Sequence, residues 1–204
     1  MTAPPATARP EAHRPDVHRL HAGVAEAGKL LALKGRHDEA LAKYREALRL
    51  AHGVRAPQIF ARHYLHCVLE SLERMGAHDQ AAILAGEAAG SAAAELGDGT
   101  PSDFQRRDRA FLLERMGVNR LKAGDVAGAR DGLAAALALD GSLALARDLL
   151  AWTARGLGVT AARLAEAQRA HGYWTVRADT VDRTRACESP QTAQGPMTKE
   201  PMHG

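Results

Sequence analysis

The chain has 204 residues, 46% of them hydrophobic but only 4% aromatic, and its 27 Lys and Arg nearly balance its 24 Asp and Glu. That length and apolar content suit one domain with a continuous core, and an interior short of large rings has to be built from helices that approach closely on Ala and Leu. The formal charge of +3 is spread without a long single-sign block, so no nucleic acid partner is implied, and no run approaches the ~20 apolar residues that span a bilayer. Cys67 and Cys187 are too few and too different in setting for a disulfide framework, and no secretory h-region precedes Pro15, so a cytoplasmic chain with no membrane partner is expected.

Residues 1–17 are rich in Pro, Ala and Thr and predict a disordered arm. From His18 the helical period takes over: Leu20, Val24, Ala27 and Leu31 share one face, and beyond Gly35-Arg36-His37 so do Ala40, Leu41, Tyr44, Ala47 and Leu48. Pro57 suits the first turn of a third helix, whose stripe Phe60, Tyr64, Leu65, Val68, Leu69, Leu72 runs to Gly76; Ala81, Leu84, Ala85 and Ala88 mark its partner, ended by Gly97-Asp98-Gly99. Thr100-Pro101-Ser102-Asp103 reads as a helix start with Thr100 as N-cap. The helix it opens stops at Gly124, and Ala129, Leu133, Ala136 and Leu137 return. A weaker pair spans Leu143 to Arg155 and Ala161 to Ala170, with Gly158 as its turn. Tyr173 and Trp174 offer apolar surface to the last helix. Residues 175–204 have no spaced apolar set and predict a disordered, solubilising tail, the alternative being an autoinhibitory strand in the protein's own groove.

The spacing Gly28-x6-Gly35-x4-Ala40-x3-Tyr44-x2-Ala47 resembles the tetratricopeptide repeat, a 34-residue unit of helix, turn and helix. Gly117, Gly124, Ala129, Leu133 and Ala136 repeat it, while the middle copy has Leu69 where the small residue belongs. The turn glycines Gly35, Gly76 and Gly124 are 41 and 48 residues apart, so a less regular array is expected. What the resemblance implies is an all-α, right-handed helical-repeat solenoid over 18–174: three clear antiparallel hairpins and one degenerate capping pair.

The resemblance also implies that the first helix of each unit lines a concave groove. The groove positions are then Ala22, Ala25 and Lys29; His63, His66, Glu70, Glu73 and Arg74; Phe111, Glu114, Val118 and Lys122; and Leu145, Asp148, Trp152 and Arg155. The function expected is a non-enzymatic adaptor or scaffold that binds a peptide or protein partner there, with no cofactor. Phe111 and Trp152 would be its apolar anchors, and Lys29, His63, His66, Glu70, Arg74 and Glu114 would set polarity and register. Trp152 alternatively seals the junction between the third and fourth helix pairs. Histidines in the groove predict an affinity that shifts between about pH 5.5 and 7.5. Self-assembly through the terminal repeats, giving a homo-oligomer, is the alternative. A lower one is metal binding, because His63, His66 and Glu70 share a helix face. Cys67 beside them is expected as a buried thiol rather than a nucleophile.

Overall fold

Gly35, Gly76 and Gly124 take φ of 75°, 80° and 90°, a left-handed conformation that glycine adopts without the steric penalty of a side chain. Just past each, an N–H reaches back to a carbonyl five residues earlier: Arg36 to Leu31, Ala77 to Leu72 and Asp125 to Arg120. These closures end three helices and reverse the chain within three or four residues. The computed structural model describes residues 17–95, 97 and 99–188, and among them the chain forms eight helices and no strand. They are α1 (Val17–Leu33), α2 (His37–Gly53), α3 (Gln58–Arg74), α4 (His78–Ala94), α5 (Asp103–Lys122), α6 (Val126–Leu139), α7 (Ala144–Ala154) and α8 (Ala161–Ala170). From α1 to α7 each helix packs against the next. The arm expected over 1–17, apart from Val17 in α1, and the tail beyond Glu188 lie outside the described residues.

The small residues act through size. A Cβ at Gly28 would come within 2.7 Å of the buried Tyr44 ring, and one at Gly117 within 2.7 Å of Leu133. Glycine is what lets α1 approach α2, and α5 approach α6. In the α3–α4 hairpin the sizes are exchanged: Leu69 and Ala85 are both fully buried in one cluster with Ala89 and Leu112. The pairs Gly28/Tyr44, Leu69/Ala85 and Gly117/Leu133 thus each join one small and one large side chain, and Leu69 fits because Ala85 yields the room.

Two expected boundaries move. The helix after the 97–99 break starts at Asp103, because Ser102 rather than Thr100 caps it: its Oγ accepts from the Gln105 N–H (3.2 Å) while Gln105 Oε1 accepts from the Ser102 N–H (2.9 Å). After α7 the left-handed turn falls on Gly156 (φ 66°) and not on Gly158, with the Leu157 N–H closing on Trp152 O.

The last helix does not simply return along α7. Leu164 and Ala167 join the core that Ala110, Leu145 and Leu149 build from α5 and α7, and Gln168 of α8 reaches Glu73 on α3. Therefore α8 lies over the face that α3, α5 and α7 share. Gly172 (φ 63°) ends it with the same closure, Tyr173 N–H to Gln168 O, and aims the following residues across that face.

Candidate functional site

Residues 173–188 form a strap laid over the face shared by α5, α3 and α1. It contains no α-helix or strand: it bends at Thr175, makes one 3-10 turn at Ala178–Thr180 and turns again over 183–185. Its first four residues make the densest contacts. Tyr173 donates its hydroxyl to Glu73 Oε2 (2.8 Å), and the Arg115 guanidinium lies 4.7 Å over its ring. Trp174 lies beneath Arg74 at 3.5 Å, with Lys122 at 5.6 Å, a cation–π arrangement. The Thr175 and Val176 N–H groups both donate to Glu70 Oε2, at 2.7 and 2.9 Å, and Arg115 donates to Tyr173 O and to Thr175 Oγ1. The Val176 side chain is buried and belongs to the apolar cluster that α1, α2, α3 and α4 build with Ala32, Leu41, Cys67, Val68, Leu72 and Ala81 among its members. Farther along, the Asp182 N–H donates to Glu26 Oε2 (2.9 Å), the Cys187 N–H to Gly23 O (3.2 Å), and Glu188 pairs with Lys43 of α2.

Beneath the strap lies a polar network that apolar packing would not need. The Glu73 side chain is fully buried and accepts from Asn119 and Lys122 of α5, Gln168 of α8 and Tyr173 of the strap. Burial alone would raise this carboxyl, but the Lys122 and Arg115 cations outweigh it and hold Glu73 below its ordinary range. For Glu70 burial wins: its carboxyl is raised, with Arg115 and the Val176 and Thr175 N–H groups opposing. Each of these charges meets opposite charge or directed N–H groups, as a buried ion must.

The expected groove residues therefore divide. Lys29 is buried and holds Glu26 at 2.8 Å, Glu70 lies under the strap, and Arg74 stacks on Trp174, so all three are engaged by the chain itself. Trp152 is covered too: the Arg163 guanidinium of α8 lies 3.8 Å over its ring, so its cover comes from within the fourth pair and it is not an open anchor. Glu114 is buried and accepts from the Ala146 N–H in the first turn of α7 (3.0 Å), a structural cap. Phe111, 45% exposed, remains open. With His63, His66, Leu145 and the Tyr173–Thr175 edge of the strap it lines a cavity of about 430 Å³. A second of about 440 Å³ continues from His63, His66 and Phe111 to Ile59 and Phe104.

Two of the histidines in this cavity, His63 and His66, are held below the ordinary imidazole range by burial. Burial lowers His63 to about 4, and burial lowers His66 although its N–H donates to Asp108 Oδ1 (2.9 Å). The expected window of about pH 5.5 to 7.5 therefore does not follow from His63 or His66. Each member of the proposed metal stripe has another partner: His66 binds Asp108, Glu70 binds the strap, and His63 Nε2 sits 3.9 Å from Cys67 Sγ. Among the described residues no three His, Cys, Asp or Glu side chains are gathered to hold a metal ion. Cys67 is buried and its thiol is pushed up to about 12 by burial, the opposite of an activated nucleophile.

Residues 175–188 depart from the expected disordered tail. Backbone N–H groups hold much of the segment, and these leave no trace in side-chain periodicity. The residues that sequence spacing did not single out are Glu26, Arg115, Asn119 and Gln168. The nearest signal was Tyr173-Trp174, an aromatic pair in a chain with eight aromatic residues. Among the described residues no helix is long and apolar enough to cross a membrane. Compared with known protein families, curated proteins and solved structures, the chain matches none. What stands from sequence and geometry together is, over the described residues, an all-α protein of consecutively packed helices, with residues 173–188 held across α1, α3 and α5.

Proposed function

We propose that the protein is a non-enzymatic interaction module, a helical-repeat array of the tetratricopeptide kind whose concave face holds a peptide segment of a protein partner. Its own residues 173–188 keep that face closed until the partner replaces them. The observation that carries this reading is the manner in which the strap is held. Glu70 and Glu26 accept from strap backbone N–H groups, Glu70 from two consecutive ones that the bend at Thr175 turns toward a single oxygen, a contact open to any peptide that can bend there, while Arg74, Lys122 and Arg115 engage aromatic rings. The buried, unactivated Cys67 thiol and the carboxylates engaged by the chain itself support binding over catalysis.

A displayed library of random peptides tests it, panned against the full chain and against a full-chain Tyr173→Ala/Trp174→Ala variant whose strap has lost its aromatic anchors. Peptide families should enrich on the variant, weakly or not at all on the native chain, and be lost when Glu70→Gln is added. Absence of enrichment on a variant that still unfolds cooperatively would remove peptide binding as the function.

A further inference from the structure

Resting on the peptide-binding reading above, we infer that the partner presents an aromatic–aromatic–x–aliphatic segment, chemically equivalent to Tyr173-Trp174-Thr175-Val176, which binds by taking the strap's place in the same register. Four recognition elements lie within those four residues. The second aromatic sits beneath a guanidinium at 3.5 Å and beside an ammonium at 5.6 Å, a slot for a large electron-rich ring. The first needs a ring under Arg115 and a hydroxyl at Glu73 Oε2. The third and fourth positions each need an N–H for Glu70 Oε2, which excludes proline at both and fixes the direction of the chain. The fourth must also be apolar, because Val176 is 7% exposed and belongs to the buried cluster that includes Leu41, Cys67, Val68 and Leu72.

Beyond Val176 the strap is held more loosely. Two backbone N–H groups, at Asp182 and Cys187, the Val181 side chain and the exposed Glu188 carry most of what remains. Sequence preference is thus concentrated in the first four residues. The interactions there are also of a kind that exchange readily. A carboxylate losing two peptide N–H groups regains water, and Glu70, raised by burial under the strap, is relieved when uncovered. The entry route is already present: the 430 Å³ cavity borders Tyr173, Trp174 and Thr175 and is open at Phe111, so a partner can engage the face beside the strap before the strap leaves.

The probe is a labelled synthetic peptide with the sequence of residues 173–188, titrated by fluorescence anisotropy into the native full chain and full-chain Trp174→Ala. It should bind the variant at least about tenfold tighter than the native chain, whose strap competes in cis. Replacing the peptide's Tyr or Trp by Ala, or its Val176 equivalent by Pro, should each weaken binding about tenfold or more. Shuffling its last twelve residues should change affinity less than about threefold. On the protein side, Arg74→Ala at an exposed position should weaken the peptide about tenfold without changing the unfolding midpoint. Equal binding of a fully shuffled peptide would overturn the motif while leaving a peptide-binding face. Failure of every peptide on Trp174→Ala and on Gly23→Ala, both still folded, would overturn motif and face together and make the strap a permanent part of the fold.

Discussion

His63 shows how far a side chain's setting outweighs its type. The ordinary imidazole titrates near 6.5, but burial holds His63 at about 4. Below about 6.5 the unfolded chain takes up a proton that the folded chain refuses. His63 therefore contributes stability that is complete above that pH and is lost as pH falls through the range toward 4. Linkage over this interval amounts to about 2–3 kcal/mol at the acid end. Thermal unfolding of native chain and His63→Gln between pH 7 and 4.5 should show the native midpoint falling more steeply. Parallel curves would mean that His63 is not the group responsible. Glu70 has the opposite sign, because a raised carboxyl takes its proton first in the folded state, so its protonation offsets part of the acid loss.

Between helices the governing quantity is the summed size of facing pairs. Gly28 on α1 meets the Tyr44 ring of α2, so Gly28→Ala should gain about 1 kcal/mol of helix propensity and lose about 1–3 kcal/mol to overpacking. A lowered unfolding midpoint is the expected outcome, and a raised one would show that Tyr44 can step aside. These pairs and the turn glycines were legible in the sequence because both are local: a small residue seven places before a left-handed glycine fixes a helix contact and its end together. The start of α5 was misread by two residues because Thr100 and Ser102 are both good caps, and only the reach of Gln105 decides between them. The strap was legible only as an alternative, an autoinhibitory strand in place of a solubilising tail, with Tyr173-Trp174 its one local signal. Its partners lie about 100 residues upstream, and its firmest bonds come from peptide groups that every residue carries.

At the scale of the molecule, strap and helices can be separated by one methyl group. Gly23 is buried under Cys187, and a Cβ there would collide with the Cys187 thiol and approach Arg185 O to 2.7 Å. Gly23→Ala should therefore strengthen α1 while lifting the strap's far end. Trypsin should cut after Arg183 and Arg185 faster than in the native chain, with the unfolding midpoint little changed; unchanged cleavage would show that the strap yields without leaving. Glu73 carries a consequence of another kind, for the time course of synthesis. Two of its partners, Gln168 and Tyr173, follow it by 95 and 100 residues. On a ribosome adding about 5–20 residues per second, α3 and α5 exist for several seconds before Tyr173 has been made. During that interval Glu70, Glu73 and Arg115 face water, and the face stands open to any segment already present in the cell. Partner capture during synthesis would then need no displacement at all, and the order in which the two chains are made would decide which of them occupies the face.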